Sequence, residues 1–203
     1  MDSPSIYISM DRRHAIVAGS DLPDRTSGAA LFADISGFTA LTGLLLEEMG
    51  PTRGAEEVLR QINPIYDVLI AELHRYHGSV INFAGDSITC WLDGDNGLRA
   101  TACAIGMQRL MSDFATLTTP SGKEVTLAIK VAVATGPVRR FIVGDPDIQL
   151  VDVLAGATLD RMAMGEGLAK KGEVVVSADV VNDNGGSAVF VISDWRKGES
   201  ETE

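Results

Sequence analysis

The sequence predicts one mixed α/β domain, and three features of the chain predict it. Short apolar runs rich in β-branched residues alternate with longer segments that repeat apolar residues every three to four positions. Gly and Pro separate most of these segments. The chain has 203 residues, 45% of them hydrophobic, which is enough to bury one substantial core. We expect an α/β (α+β) domain over residues 28–193, an N-terminal extension over 1–27 and a mobile charged tail over 194–203.

The first half of the domain is predicted to hold a core strand, two helices and a hairpin. Thr52 suits the N-cap of the second helix, and Pro64 is expected to kink or interrupt it. In the extension, residues 15–17 suit a short edge strand. The elements predicted here are a strand over 28–35, a helix over 37–49, a helix over 52–76 and a hairpin over 79–92.

The second half is predicted to begin with a helix over 98–117. A strand over 125–134 follows, in which every second residue is large and apolar, and Gly136-Pro137 is expected to turn the chain into an antiparallel partner. This order of elements gives a ferredoxin-like β-α-β-β-α-β core with added strands and helices. The remaining predicted elements are strands over 138–143, 148–154, 174–176 and 188–192 and a helix over 156–170.

The first core strand runs directly into a candidate phosphate and metal site. It ends in Asp34 and turns through Ser-Gly into a helix, where unpaired N–H groups and the positive end of the helix dipole attract phosphate. A carboxylate beside a phosphate site would repel the phosphate unless a cation lay between them. The pattern therefore indicates a divalent metal, with Mg²⁺ as the first candidate. The predicted phosphate-binding residues are Ser36, Gly37, Phe38 and Thr39.

A second carboxylate lies at the tip of the predicted hairpin. Asp86 stands in the turn of Asn-Phe-Ala-Gly-Asp-Ser-Ile, residues 82–88. Two carboxylates from separate strand ends can hold two metal ions around a triphosphate, the arrangement that supports in-line displacement at phosphorus. The alternative for Asp34 and for Asp86 is an ordinary turn-forming role. The sequence leaves both interpretations open for each residue taken alone.

Charge and cysteine content narrow the possible partners. A net charge of −11 argues against non-specific binding to nucleic acid or to an anionic membrane surface. Cys90 and Cys103 lie in apolar runs without metal-ligand spacing, which is typical of reduced core residues. The sequence has no signal-peptide pattern and no apolar run long enough to span a bilayer. We therefore expect a cytoplasmic protein without membrane insertion.

The segments LFADISGFTALT and FAGDSI resemble the two metal motifs of the class III nucleotidyl cyclases. The chain is most similar to the metal-bearing half of the soluble, bicarbonate-responsive adenylyl cyclases, from about residue 28 to about residue 190. The resemblance implies the class III cyclase fold and a reaction at a dimer interface. A nucleoside triphosphate, ATP before GTP, would become the 3′,5′-cyclic monophosphate and pyrophosphate, with two Mg²⁺ or Mn²⁺ ions as cofactors.

The resemblance also assigns site residues. It implies that Asp34, Asp86 and the backbone carbonyl of Ile35 hold the metals, and that Lys130 joins the backbone after the first motif in binding phosphate. Lys130 is also the one charge on the small-residue face of its predicted strand, which leaves room for a ligand. The alternative for Lys130 is a side chain that extends from the strand face to water.

Three positions depart from the family pattern. Asn82 stands where the family has a purine-reading Lys, and Asp160 and Met164 stand where it has an Asn and an Arg that act in the transition state. The resemblance therefore implies a metal-bearing half that works as a homodimer or as a heterodimer with a second cyclase-type domain. The competing hypothesis is a noncatalytic regulatory module that binds nucleotide or a small anion and signals through its dimer face. A diguanylate cyclase would need a Gly-Gly-Asp/Glu-Glu-Phe hairpin, which residues 84–88 do not supply.

Overall fold

A six-stranded sheet forms the centre of the structure, a computed structural model that describes residues 8–145, 147–185 and 194–196. Six helices are described: α1 (Met10–Ala18), α2 (Phe38–Met49), α3 (Pro51–Arg75), α4 (Leu98–Met111), α5 (Ala157–Leu168) and α6 (Ala178–Asp183). The described strands are β1 (Arg25–Ser36), β2 (Ser79–Ala84), β3 (Ser87–Asp93), β4 (Thr116–Thr118), β5 (Glu124–Thr126), β6 (Ala128–Asp145), β7 (Gln149–Ala155) and β8 (Val174–Val176).

The strand order confirms the predicted β-α-β-β-α-β core. The strands of the main sheet lie in the order β2-β3-β1-β6-β7, and all of these neighbours are antiparallel. Strand β8 is an addition that pairs with β6 in parallel, and β4 with β5 forms a separate two-stranded ribbon. Strand β1 lies between β3 and β6 along most of its length. Whatever stands at the end of β1 is therefore flanked by both neighbours.

The sheet buries apolar residues on both faces because its strands alternate. On one face, residues 29, 31, 33 and 35 of β1 contact the core formed with α2, α3 and α4. On the other face, Ala30 packs with Trp91 and with Met162 of α5. Cys90 and Cys103 are buried and unpaired, as the sequence predicts. Among the described residues, no helix is both long enough and apolar enough to cross a membrane.

The largest error in the sequence-based prediction concerns β6. The predicted turn at Gly136-Pro137 is wrong, because the strand continues from Ala128 to Asp145, and the residues after Pro137 pair with β7 instead of folding back. Gly136 pairs with Gly28 of β1. Its φ of 143° would be strained in a residue with a side chain, so glycine at this position lets β6 continue along β1. The predicted strand over 125–134 is also divided, because residues 124–126 pair with β4.

Several predicted boundaries also differ from the structure. Helix α3 begins at Pro51 after the cap residue Gly50, so Thr52 lies inside the first turn and is not the N-cap. A proline at the first helical position loses no hydrogen bond, which explains the earlier start. Pro64 lies inside α3 and does not end it. Ile62 and Ile65, which lie on either side of Pro64 in the helix, are both buried in the core. Tertiary packing of the apolar face therefore outweighs the loss of one backbone bond.

Two further elements differ, and one falls outside the described residues. Helix α4 ends at Met111 and not at residue 117, because a short 3₁₀ turn and β4 follow it. Residues 15–17 belong to helix α1 and not to an edge strand. Gly19 ends α1 in the left-handed conformation, a common helix terminator. The strand expected over 188–192 lies outside the residues that the structure describes.

A buried cluster of charges attaches α1 to the β6–β7 hairpin. The Arg140 guanidinium donates hydrogen bonds to Asp11 of α1 and to Asp152 of β7, and Arg12 donates two more to Asp152. Burial acts to raise the pKa of Asp152, but the guanidinium groups of Arg12 and Arg140 outweigh it and hold that pKa below its usual range. The cluster therefore depends on Arg140, which carries the positive charge between the two carboxylates.

We predict that Arg140→Gln destabilises the domain by about 3 kcal/mol, because it leaves two partly buried carboxylates without their shared cation. Urea unfolding of the variant and the parent measures this. Arg139→Gln is the matched control, since the Arg139 side chain is 57% exposed and its 3.5 Å ion pair with Asp24 lies in solvent. That change should cost less than about 1 kcal/mol. Equal losses for the two variants would contradict the role given to Arg140.

Candidate active site

Strand β1 delivers Asp34 to a position between two other strands. Asp34 pairs with Ser87 of β3 on one side and with Lys130 of β6 on the other. Its side chain is only 21% exposed. The residues immediately before it in β1 belong to the buried core of the sheet. The carboxylate is therefore held by the rigid centre of the fold and is not carried by a free loop.

The hairpin formed by β2 and β3 brings the second carboxylate to the same end of the sheet. Ala84 pairs with Ser87, so Gly85 and Asp86 form a two-residue turn as the sequence predicts. The backbone N–H of Ile35 donates a 3.1 Å hydrogen bond to the carbonyl oxygen of Asp86. This bond joins the two sequence motifs directly. Asp34, Ile35 and Asp86 are thereby brought together, as the sequence predicts.

The electrostatics of this pair suit a cation. Burial raises the pKa of Asp34, the charge of Asp86 raises it further, and the nearby Lys130 lowers it without reversing the shift. Carboxylates that repel one another in a partly buried site are the ligands that a hard divalent ion prefers. Within the described ranges, no group of three or more His, Cys, Asp or Glu side chains could hold a metal ion. The predicted set at Asp34, Asp86 and the Ile35 carbonyl has only two such side chains and stays a prediction.

The predicted phosphate-binding segment, residues 36–39 (the α2 cradle), lies at the start of α2. Gly37 is the residue before the helix, and no side chain caps the first turn there. The N–H of Leu41 is the first to bond back along the chain, to the Gly37 carbonyl at 3.0 Å, so the preceding amides have no partner within α2. These amides follow directly from the end of β1. Phe38 and Thr39 are among these amides, Gly37 precedes them, and Ser36 is the last residue of β1, paired with Ala128. Phosphate binding by the four residues stays a prediction.

Gly37 is required by the local geometry. Its φ is 97°, and a Cβ there would overlap the carbonyl oxygen of Thr126 and lie 3.0 Å from the side chain of Leu127. Both features exclude larger residues, because a positive φ is unfavourable for any residue with a Cβ and the Thr126 backbone cannot move freely. The tight approach of β1's end to residues 126–127 thus sets the angle at which α2 leaves the sheet.

Lys130 lies beside Asp34 and Glu166 and does not extend freely into water. Its Nζ donates a hydrogen bond to the Glu166 carboxylate of α5 and lies 3.6 Å from Oδ2 of Asp34. The Glu166 carboxylate is the main cause of the raised pKa of Lys130. The structure therefore places Lys130 beside the first metal-motif carboxylate. Two carboxylates, those of Asp34 and Glu166, therefore share this ammonium group.

Sequence reasoning missed two residues that lie near Asp34 and Asp86, namely Tyr66 and Glu166. The Tyr66 hydroxyl of α3 lies 3.4 Å from the Gly85 carbonyl oxygen, and its ring packs edge-on against Phe83 at 5.7 Å. Burial, with the charges of Asp86 and Asp34, raises the pKa of Tyr66 to about 12. Tyr66 gave no signal because it falls in the apolar repeat of α3. Glu166 did give one, since an acidic residue in the last turn of a helix opposes the helix dipole.

The three departures from the family pattern lie away from these contacts. Asn82 is exposed on β2, and Asp160 and Met164 lie on the exposed side of α5. Within the described residues, no hydrogen bond or ion pair joins them to Asp34 or Asp86. Arg161, next to Asp160, donates to the Thr135 carbonyl at 2.7 Å and pairs with Asp179. These contacts hold its guanidinium against β6 and α6.

Comparison with known proteins identifies the family. The sequence model of the adenylate and guanylate cyclase catalytic domain matches residues 25–187. The chain belongs to this family of class III cyclase enzymes. Adenylate cyclase type 10 of Oryctolagus cuniculus is 25% identical over 187 residues, and that of Homo sapiens shows the same identity. These alignments include 87% of this chain but span only 11% of the length of either relative.

Solved structures of cyclases share the fold. The adenylyl cyclase CyaB from P. aeruginosa superposes with a TM-score of 0.63 at 19% identity, over 78% of this chain and 80% of that one. The guanylate cyclase domain of RhGC from Catenaria anguillulae, in complex with GTP, gives a TM-score of 0.59 at 19% identity, over 79% and 83% of the two chains. The antiparallel sheet with its flanking helices is therefore the architecture of class III cyclases.

We predict that Gly37→Ala destabilises the domain by at least about 2 kcal/mol, because it combines a positive φ with a backbone overlap. Gly43→Ala is the control within the same helix, since a Cβ there has no neighbour within 4 Å. That change should stabilise the protein by up to about 1 kcal/mol through helix propensity. Thermal or urea unfolding measures both changes, and a neutral Gly37→Ala would show that the turn does not need glycine.

We also predict that Asp34→Asn stabilises the metal-free protein by up to about 1 kcal/mol at neutral pH, because it removes a like-charge neighbour of Asp86. The raised pKa means that the native state holds this proton more tightly than the unfolded chain. Ionisation of Asp34 therefore lowers the free energy of unfolding of the parent as the pH rises from the ordinary carboxyl pKa towards the raised one. In acid, Asp34 is protonated in both the native and the unfolded state, so the difference in stability between Asp34→Asn and the parent should vanish.

Urea unfolding in EDTA, repeated across this pH range, measures the effect of Asp34→Asn. Asp67→Asn is the matched control, because Asp67 is exposed on α3 and has no hydrogen bond or ion pair within the described residues. This control should change the free energy of unfolding by less than about 0.5 kcal/mol. A destabilised Asp34→Asn protein would mean that the ion pair with Lys130 outweighs the repulsion from Asp86.

Proposed function

We propose that this domain converts a nucleoside triphosphate, ATP before GTP, into the 3′,5′-cyclic monophosphate and pyrophosphate. The observation that carries the proposal is the hydrogen bond between Ile35 and Asp86, which brings two carboxylates to the base of the α2 cradle. Family membership and the adenylate cyclase type 10 relatives support the reaction class. The same relatives support ATP as the first substrate to test.

Each group at the site has a role in this chemistry. Asp34, Asp86 and the Ile35 carbonyl would hold two Mg²⁺ or Mn²⁺ ions, which when bound lower the pKa of the ribose 3′ hydroxyl and neutralise phosphate charge. The amides at the start of α2 and the Lys130 ammonium bind the phosphate chain. The 3′ hydroxyl loses its proton to water and its oxygen attacks the α-phosphorus, while the bond from that phosphorus to the bridging oxygen breaks and pyrophosphate leaves with the bonding electrons. No protein nucleophile is needed.

A second cyclase-type domain completes the site in this proposal. Asn82 cannot read a purine as a lysine does, and neither Asp160 nor Met164 supplies a donor to the transition state. The loss of such donors typically lowers the rate by roughly 10²–10⁵. We therefore propose that the partner, in a heterodimer, supplies these groups, and that a homodimer of this chain lacks them in both sites. The buried, unpaired Cys90 and Cys103 support action in the reducing cytoplasm.

The test is cyclic nucleotide production from ATP and from GTP, in Mg²⁺ and in Mn²⁺, by this chain alone and mixed with a cyclase domain that carries the missing Lys, Asn and Arg. We expect little turnover alone and at least about a 10²-fold increase in the mixture. Asp34→Ala and Asp86→Ala should abolish that increase, because each removes a metal ligand. Asp67→Ala, on an exposed position of α3, should not.

A gain-of-function variant tests the same proposal without a partner. The triple change Asn82→Lys, Asp160→Asn and Met164→Arg restores the family's residues, and we expect turnover by the homodimer to rise by at least about 10². Metal-dependent nucleotide binding with no turnover in the variant or in the mixture would favour the regulatory module instead. Turnover by the unmodified chain alone, abolished by Asp34→Ala, would show that the three departures are not disabling.

A further inference from the structure

The contact between Lys130 and Glu166 joins parts of the fold that are distant in sequence. Lys130 lies on β6 and Glu166 in the last turn of α5, 36 residues later, and their side chains form an ion pair. Asp34 approaches the same ammonium group at 3.6 Å. All three side chains are mostly shielded from solvent, with exposures of 23%, 30% and 21%. This is the cation that the proposed function assigns to the phosphate chain.

The packing of α5 explains why Glu166 reaches Lys130. A Cβ on Gly165 would lie 3.4 Å from the Ala132 side chain of β6, which is an ordinary contact distance, so this turn of α5 lies directly against the strand that carries Lys130. A carboxylate at this end of a helix is disfavoured by the helix dipole. Within the described residues, the Lys130 ammonium is the one cation that forms an ion pair with Glu166. The pair therefore offsets an unfavourable local position.

We propose that Glu166 is an internal competitor for Lys130 and thereby sets the affinity of the site for the phosphate chain. The inference rests on the proposed function, because it concerns the same site. The Lys130 ammonium has three N–H groups, of which one bonds to Glu166 while Asp34 lies 3.6 Å away, so a phosphate oxygen must share its charge with both carboxylates. The Glu166 carboxylate therefore reduces the attraction of Lys130 for phosphate, and the nucleotide binds more weakly than Lys130 alone would allow.

The magnitude follows from the partial exposure of the pair. Partly exposed ion pairs of this kind contribute up to about 1 kcal/mol, which corresponds to about a two- to five-fold change in affinity. Glu166 also carries a negative charge that would repel phosphate from any position nearby. That effect does not require Lys130. Changing Glu166 in the parent and in a Lys130→Gln variant separates competition at Lys130 from general repulsion.

The experiment is calorimetric titration of the full chain with inorganic tripolyphosphate and with 3′-deoxy-ATP, which cannot cyclise, both in excess Mg²⁺. The variants are Glu166→Gln, Lys130→Gln, their double variant and Asp34→Ala, with Glu56→Gln of α3 as a control for the loss of one exposed negative charge. We expect Glu166→Gln to bind about two- to five-fold more tightly than the parent. In the Lys130→Gln background, the same change should have no effect.

The outcomes distinguish this inference from the proposed function. Equal tightening by Glu166→Gln with and without Lys130 would overturn the inference in favour of general repulsion, and so would no change or weaker binding in the single variant. Either result would leave the proposed function intact if Lys130→Gln and Asp34→Ala still weaken binding. No binding by the parent, or binding insensitive to Asp34→Ala, would overturn both. Because the readout is binding, the partner domain is not required.

Discussion

The hydrogen bond from the Ile35 amide to the Asp86 carbonyl is the contact on which the candidate site depends. Asp34 lies on β1 and Asp86 in the turn between β2 and β3, more than 50 residues away, and the register of β1 against β3 brings them to the same end of the sheet. The bond closes the turn of the hairpin onto the end of β1. Because the same residues then lead into α2, one constraint positions both carboxylates and the amides of the cradle.

The cluster around this bond is not electrostatically balanced. Asp34 and Glu166 share the Lys130 ammonium group, and burial, together with the charges of Asp86 and Glu166, raises the pKa of Asp34. A protein that only needed stability would not gather these charges, because like charges at short distance cost free energy. The arrangement is typical of a site whose charge is completed by ligands. A bound divalent cation would offset the excess negative charge.

Strand β6 connects the site to the rest of the fold. Near its start, Lys130 pairs beside Asp34, and near its middle Arg140 joins α1 to β7 through two buried carboxylates. The strand is continuous between them because Gly136 accepts a backbone conformation that other residues avoid. Helix α5 packs against this strand and carries Glu166 to Lys130. The position of the Lys130 ammonium group is therefore coupled to the packing of α5.

The sequence by itself determined the order of the elements, the hairpin with Asp86 at its tip, the glycine turn into α2 and both predicted carboxylates. These features depend on local chemistry: the repeat of apolar residues, the conformational freedom of glycine and the placement of Asp at strand ends. Residues far apart in the chain decided the rest. The turn expected at Gly136-Pro137 did not form, because β1 offered a longer pairing surface, and the roles of Tyr66 and Glu166 arise from contacts with β2 and β6. Such contacts become visible only in the tertiary structure, because the alignment of strands across a sheet places together residues whose local sequences carry no record of one another.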